Sequence, residues 1–182
     1  MRTFDESSLR FTFSADWWVE QYDVLTDYQN LNNAVKNSKA VDFVGIINNE
    51  TLSFIEVKNF RGHRIANKPR LFLGDDPIED EVAQKVRDTL EGITAAARNS
   101  TNLKLEWQRV LSFIQNESKN VEIILWFEEE THSSVSSAKR MNAKGGTVAR
   151  RLKQKLNWLT NRVFVCHISD NVYSRCLDVA FL

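Results

Sequence analysis

Hydrophobic and polar residues alternate most clearly over residues 51–58, Thr-Leu-Ser-Phe-Ile-Glu-Val-Lys. Alternation with a period of two, together with many apolar and β-branched residues, is typical of a β-strand. Residues 40–47 form a second apolar run, and the Asn-Asn-Glu tripeptide at 48–50 is polar and turn-prone. The pattern therefore predicts a β-hairpin over residues 40–58.

The predicted hairpin places charged groups at its open end. Successive side chains of a strand point to opposite faces, so Glu56 and Lys58 share a face with Leu52 and Phe54. Antiparallel pairing brings Asp42, which opens the first strand, beside the end of the second. Two carboxylates and a lysine would form a hard, oxygen-rich cation site that suits metal-assisted hydrolysis of a phosphodiester. An exposed hairpin with an incidental Glu/Lys pair is the alternative.

A long helix is predicted after the hairpin. Asp76 is a candidate cap, Pro77 suits the first helical position, and Glu79 completes the spacing of a capping box. Apolar residues then recur at helical spacing, which predicts one buried face and a helix to about Arg98. These apolar residues are Val82, Val86, Leu90, Ile93 and Ala97.

Shorter patterns predict the remaining elements. Residues 121–127 form a nearly continuous apolar run, which is typical of a strand buried on both faces. Residues 9–13 are compatible with either a short strand or an arm. The other predictions are a helix capped by Ser14 or Asp16 that includes 17–21, a loop over 30–37, a helix over 105–117, a strand over 162–168 and an apolar tail over 172–182.

Composition narrows the class of protein. The chain has 182 residues, 42% of them hydrophobic and 26% charged, which fits one domain with its own core. It contains no run of 18 apolar residues, so we expect no membrane partner. Two cysteines are too few for a disulfide framework, and a reducing, cytoplasmic setting is expected. The net charge is zero, so attraction to nucleic acid requires local clustering of cations.

Positive charge is concentrated in two segments that contain no acid. Residues 57–74 are predicted to be a loop in which Arg61 and Arg64 could hold phosphates. In residues 133–162, Gly145-Gly146 is predicted to separate a mobile loop from a basic helix capped by Thr147. Solvated basic surface is the alternative for both segments. The cations assigned to nucleic-acid binding in the second segment are Lys139, Arg140, Lys144, Arg150, Arg151 and Lys153.

Asp42, a spacer and then Glu56-Val57-Lys58 resemble the motif of the PD-(D/E)xK nuclease superfamily, which includes restriction endonucleases and Holliday-junction resolvases. Val41 stands where the family's nominal proline precedes the aspartate. The resemblance implies that Asp42 and Glu56 bind Mg²⁺, with Mn²⁺ as a substitute and the Val57 carbonyl as a further ligand. It implies that Lys58 orients or deprotonates the attacking water.

The resemblance also implies supporting catalytic residues and a topology. An acid on the first core helix would be Glu20 or Asp23, and Gln84 on the helix after the Glu-x-Lys strand would reach the active site. Each is equally consistent with an exposed helix surface. A further core strand should precede Asp42, although the pattern does not place it.

The sequence therefore predicts an α/β fold, a single domain over residues 1–182 in which helices flank a mixed central β-sheet with a restriction-endonuclease-like core. The predicted function is Mg²⁺-dependent hydrolysis of phosphodiester bonds in DNA, with endonuclease action favoured over exonuclease action. A homodimer is left open. The alternatives are a non-catalytic module of the same fold that binds nucleic acid or a protein through its basic helix, and a phosphoesterase acting on small substrates.

Overall fold

The computed structural model describes residues 1–61, 77–129 and 135–182, with the backbone alone for 135–144. In these residues the chain folds into an α/β structure of two sheets and four α-helices. The strands are β1 (Arg2–Glu6), β2 (Leu9–Phe13), β3 (Trp17–Gln21), β4 (Phe43–Ile47), β5 (Thr51–Asn59), β6 (Asn120–Glu128), β7 (Val163–Cys166) and β8 (Leu177–Phe181). The helices are a 3₁₀ turn (Tyr22–Val24), α1 (Thr26–Ala34), α2 (Ile78–Asn99), α3 (Lys104–Gln115) and α4 (Val135–Leu156).

The central sheet has the strand order β3-β4-β5-β6-β7. Its first three strands are antiparallel to one another, whereas β5, β6 and β7 are parallel, so the prediction of a mixed sheet is confirmed. Residues of α2, α3 and α4 pack on the face that carries Leu52 and Phe54. A small sheet of order β1-β2-β8 covers the opposite face, which carries Ile55 and Val57. The two faces of β5 therefore belong to different cores, as period-two alternation requires.

The predicted hairpin is present. Strands β4 and β5 pair from Phe43 opposite Ile55 to Ile47 opposite Thr51. Both central turn residues, Asn48 and Asn49, have positive φ (51° and 54°), and asparagine tolerates this conformation better than most residues. The local turn chemistry thus fixes the register of the hairpin.

The predicted helix over residues 17–21 is wrong, because these residues form β3. Trp17 and Val19 are buried against the small sheet, while Trp18 packs against the helical face. Side chains that alternate between two cores require a strand. Pairing of β3 with β4, from Trp17 opposite Ile47, also gives the edge of β4 hydrogen-bond partners that a helix could not provide. β3 is thus a strand of the central sheet that precedes Asp42 in the chain.

Two predictions about helix boundaries are also wrong, and the start of a third helix is shifted by one residue. The helix α4 runs through Gly145-Gly146 without a break, because buried Val148 and Leu152 hold it against the sheet and offset the cost of two glycines. Helix α1 extends into the predicted loop over 30–37. Pro77 is the N-terminal flanking residue of α2, with no side-chain cap, and Asp76 lies outside the described residues.

The other predicted elements are confirmed within two or three residues. These are α2, α3, β6 and β7; residues 9–13, for which a strand and an arm were both open, form β2, and the apolar tail contains β8. In the described part of the chain, no helix combines the length and apolar character needed to cross a membrane.

Candidate functional site

The open end of the hairpin brings the three predicted site residues together. Asp42 immediately precedes β4 and lies beside the end of β5, where its Oδ2 accepts a 2.6 Å hydrogen bond from the Val57 amide. Glu56 and Lys58 are two residues apart on β5, and Lys58 Nζ lies 2.9 Å from Glu56 Oε1. Residues distant in the chain thus meet on the face that α2 covers.

Helix α2 adds a second lysine and a third acid to this cluster. Lys85 Nζ lies 2.7 Å from Glu56 Oε1, 2.9 Å from Glu56 Oε2 and 3.6 Å from Asp42 Oδ1. One turn earlier, Glu81 Oε1 accepts a 2.9 Å hydrogen bond from Lys58. Residues four apart share one face of a helix, which explains how α2 supplies both groups. We call Asp42, Glu56, Lys58, Glu81 and Lys85 the hairpin-end cluster.

Hydrogen bonds that involve backbone groups hold residues 39–42 in place. The Asp88 carboxylate accepts from the Lys39 amide, and the Thr89 hydroxyl from the Val41 amide, each at 3.0 Å. The carbonyl of Asp42 itself accepts a 2.8 Å bond from the Tyr22 amide at the start of the 3₁₀ turn. These contacts fix α2 and the 3₁₀ turn relative to the cluster.

A group of acids adjoins the cluster on the side of the 3₁₀ turn. One carboxylate oxygen each from Glu6, Asp23 and Asp42 lie within 4.8 Å of one another, and such oxygens could hold a divalent cation. Glu6 ends β1, so the small sheet also contributes to the site. Among the residues described, Asp42 is the acid shared between this group and the hairpin-end cluster.

Burial governs the protonation of the site. Burial, followed by repulsion from Glu56, raises the pKa of Asp42 to about 7, and burial with repulsion from Asp42 raises the pKa of Asp23 to about 6. Burial also raises the pKa of Glu56, although both lysines oppose it. For Lys58, burial lowers the pKa, but attraction to Glu56 and the hydrogen bonds to Glu81 and Glu56 together outweigh it, so the pKa is raised. Lys58 is therefore an ammonium at neutral pH and suits charge stabilisation better than proton abstraction.

The site is buried at its centre and open at its rim. Glu56 is 0% exposed and Asp42 is 5% exposed. The lysine side chains that cover them remain partly accessible, 15% for Lys58 and 16% for Lys85. The arrangement can therefore bind a small cation or an anionic oxygen at the rim, provided that the lysine side chains adjust.

Comparison with family models, with curated proteins and with solved structures gives no match for this chain.

Two of the predicted catalytic residues are not brought to the cluster. The Gln84 amide instead contacts the carbonyl of Asn37 and a carboxylate oxygen of Asp88, each at 3.4 Å. Glu20 lies on β3 and forms an ion pair with Arg2. Successive residues of a helix point about 100° apart, so the rotation of α2 that brings Lys85 to the carboxylates turns Gln84 away.

The predicted nucleic-acid-binding cations are dispersed. Arg150 and Lys153 are exposed on α4, whereas Arg151 lies 3.3 Å from the buried carboxylate of Glu79. The guanidinium of Arg61 lies over the ring of Phe181, 3.8 Å from its centroid. Arg64 lies outside the described residues, and so do the side chains of Lys139, Arg140 and Lys144.

Sequence reasoning did not place Glu6, Glu81 or Lys85 at the metal site. The sequence does contain a signal for the two residues of α2. Glu81 and Lys85 directly precede Val82 and Val86 of the buried stripe, so they lie at the edge of the packed face of the helix. No such signal marks Glu6, which reaches the site only because the small sheet packs on the central one.

Proposed function

We propose that the chain is a Mg²⁺-dependent nuclease that hydrolyses phosphodiester bonds in DNA, with Mn²⁺ as a substitute metal and endonuclease action. The observation that carries the proposal is the convergence of Asp42, Glu56 and Lys58 at the hairpin end, with the Val57 amide bound to Asp42. The antiparallel β3-β4-β5 meander followed by parallel β6 supports the resemblance to the restriction-endonuclease-like core of the PD-(D/E)xK superfamily.

The charges of the site fit a divalent cation. In the described residues, two lysines face a larger group of carboxyl groups, and repulsion among these acids adds to burial, the larger cause, in raising the pKa values of Asp42 and Asp23. The residues that would hold Mg²⁺ are Asp42, Glu56 and the carbonyl of Val57. When bound, Mg²⁺ would lower the pKa of a water molecule and neutralise charge that develops on the phosphate.

The side chains have separate roles in this proposal. Asp42 and Glu56 supply anionic oxygen, and the hydrogen bond from Val57 orients Asp42. Lys58, kept charged by Glu56 and Glu81, stabilises negative charge and orients the nucleophilic water. Exposed Arg150 and Lys153 attract the DNA backbone through its phosphates. The free thiols of Cys166 and Cys176 support the reducing, cytoplasmic setting that we propose. A homodimer remains an open part of the proposal.

Cleavage of plasmid and oligonucleotide substrates with Mg²⁺ or Mn²⁺ tests this function. We expect wild type to cleave, whereas Asp42→Asn and Lys58→Met should have little activity. Asp80→Asn is the matched control, because Asp80 is an exposed acid at the start of α2, outside the cluster. Equal cleavage by all four proteins would indicate a contaminant and would overturn the proposal.

The second candidate is a non-catalytic module that binds nucleic acid through α4. The observation in its favour is that Lys85 and Lys58 both contact Glu56, which leaves that fully buried carboxylate neutralised by the protein itself. Salt-dependent binding of DNA without cleavage in any divalent metal would favour this candidate.

A further inference from the structure

Lys85 occupies the space between the two carboxylates that would bind metal. Its ammonium lies within 2.9 Å of both oxygens of Glu56 and 3.6 Å from the Asp42 oxygen that Val57 leaves available. Lys58 has a different position, because it contacts Glu56 and Glu81. Lys85 is therefore the lysine of the cluster that bridges Asp42 and Glu56.

An ammonium and a divalent cation cannot share this space. Mg²⁺ binds oxygen at about 2.1 Å and needs lone pairs directed at it. Both Glu56 oxygens already face Lys85, and two positive groups a few ångströms apart repel strongly where water is largely excluded. A metal ion ligated by both Asp42 and Glu56 therefore requires Lys85 to leave.

We propose that Lys85 is a built-in competitor for the metal: it neutralises Glu56 in the metal-free protein and is displaced when a divalent cation binds Asp42 and Glu56. The inference rests on the metal dependence in the proposed function. Lys85 is suited to this exchange because its flexible four-carbon stem comes from a helix and its side chain is partly exposed. Once displaced, its ammonium becomes available to the phosphates of a substrate.

Metal affinity without any substrate provides the first test. Titration calorimetry with Mn²⁺ alone should give at least about tenfold tighter binding for Lys85→Met than for wild type, since a full opposing charge is removed from the site. Lys58→Met removes an equal charge that does not bridge Asp42 and Glu56, so it should increase the affinity for Mn²⁺ much less. Arg87→Met, on the same helix but paired with Asp88, should bind as wild type does.

Two results of this titration would overturn the proposal. The first is a Lys85→Met protein that binds Mn²⁺ no more tightly than wild type, including the case in which neither binds. The second is equal tightening by Lys58→Met, which would mean that net charge alone sets the affinity.

A measurement on the wild-type protein covers the case in which Lys85→Met fails to fold. Amine acetylation followed by quantitative mass spectrometry reports the accessibility of each lysine. We expect saturating Mg²⁺ to increase labelling of Lys85 several-fold and to leave the exposed Lys153 unchanged. Unchanged or reduced labelling of Lys85 would overturn displacement.

These readouts separate failure of the inference from failure of the proposed function. If Lys85 behaves as expected but no nucleic acid is cleaved, the competitor role stands and the nuclease assignment fails. If cleavage depends on Mg²⁺ and on Asp42, while neither metal affinity nor labelling responds at Lys85, the nuclease assignment stands and the competitor role fails.

Discussion

Helix α2 takes part in two regions of charged residues, and these regions differ in the balance between negative and positive charge. At the hairpin end, Lys85 of the helix meets acids of the sheet, and carboxyl groups outnumber the two lysines among the residues described. One to two turns toward its N-terminus, the helix supplies two acids that pair with cations of α4. Glu79 pairs with Arg151, and Asp80 pairs with Lys155. Among the residues that the structure describes, each acid of this second region, which we call the α2–α4 pairs, has one cation.

The difference shows which ion pairs point to function. In each α2–α4 pair one cation matches the negative charge of the acid and the pair joins two helices, so the charges of these described residues balance without a further ion. The hairpin-end cluster and its adjoining acids concentrate negative charge that the described residues only partly neutralise, and the resulting repulsion adds to burial, the larger cause, in raising the pKa values of Asp42 and Asp23. Unbalanced charge, rather than the presence of buried ion pairs, identifies the candidate site.

The largest expected contrast is in activity. Glu56→Gln should lower Mg²⁺-dependent DNA cleavage by at least about a thousandfold, since loss of a charge-stabilising group at the reacting centre costs 10²- to 10³-fold or more. Glu79→Gln, an equally buried acid in the α2–α4 pairs, should retain activity close to that of wild type. Initial cleavage rates of folded, purified variants measure both. Similar losses in the two variants would remove the distinction between the regions.

The next contrast is in stability and its response to metal. Arg151→Met leaves Glu79 buried without its cation and should lower the free energy of unfolding by about 2–3 kcal/mol. Lys85→Met should cost less, about 1–2 kcal/mol, because Glu56 keeps Lys58. Mg²⁺ at a hundred times the Kd of Lys85→Met should add about 2.7 kcal/mol to that variant and only about 1.4 kcal/mol to Arg151→Met, whose intact site should bind the metal about tenfold more weakly. Urea denaturation with EDTA or Mg²⁺ measures this, and equal rescue of Arg151→Met would contradict it.

The pH dependence of stability should also separate the regions. The pKa of Asp42 is raised to about 7 in the folded protein, against about 3.9 for an unfolded aspartate. Between about pH 4 and 7 the folded state binds a proton that the unfolded state does not, so stability falls as pH rises through this window.

Asp42→Asn removes that proton equilibrium. Relative to this variant, wild type in EDTA should lose roughly 2 kcal/mol of unfolding free energy between pH 5 and pH 8. Denaturation curves at four pH values measure the difference, with Asp80→Asn of the α2–α4 pairs as the control. A difference that stays constant with pH would show that Asp42 titrates normally.

The smallest expected effect concerns the exposed cations of α4. Arg150→Ala and Lys153→Ala should each weaken DNA binding modestly and reduce the slope of log K against log salt by about 1. Arg151→Met should change that slope less, because its guanidinium is already paired with Glu79. Fluorescence anisotropy over a range of salt concentrations measures these slopes and tests whether Arg151→Met changes the slope least. A slope unchanged by all three variants would place the DNA elsewhere.

Much of the fold could be predicted where local rules dominate. The hairpin followed from alternation and from an Asn-Asn turn, and α2 followed from its apolar stripe. Prediction failed where tertiary contacts overrode local preference. Residues 17–21 became a strand because two cores accept their alternating side chains, and α4 passed through two glycines because Val148, Leu152 and Leu156, which follow them, pack in the core.

By itself the sequence determined that Asp42, Glu56 and Lys58 would share the end of one hairpin, because the register set by a short turn and the period of a strand are local properties. Only the tertiary structure decided that Lys85 rather than Gln84 faces these groups and that Glu6 joins Asp42. The rotation of a helix about its axis, and the packing of one sheet on another, depend on long-range burial that no short stretch of residues encodes.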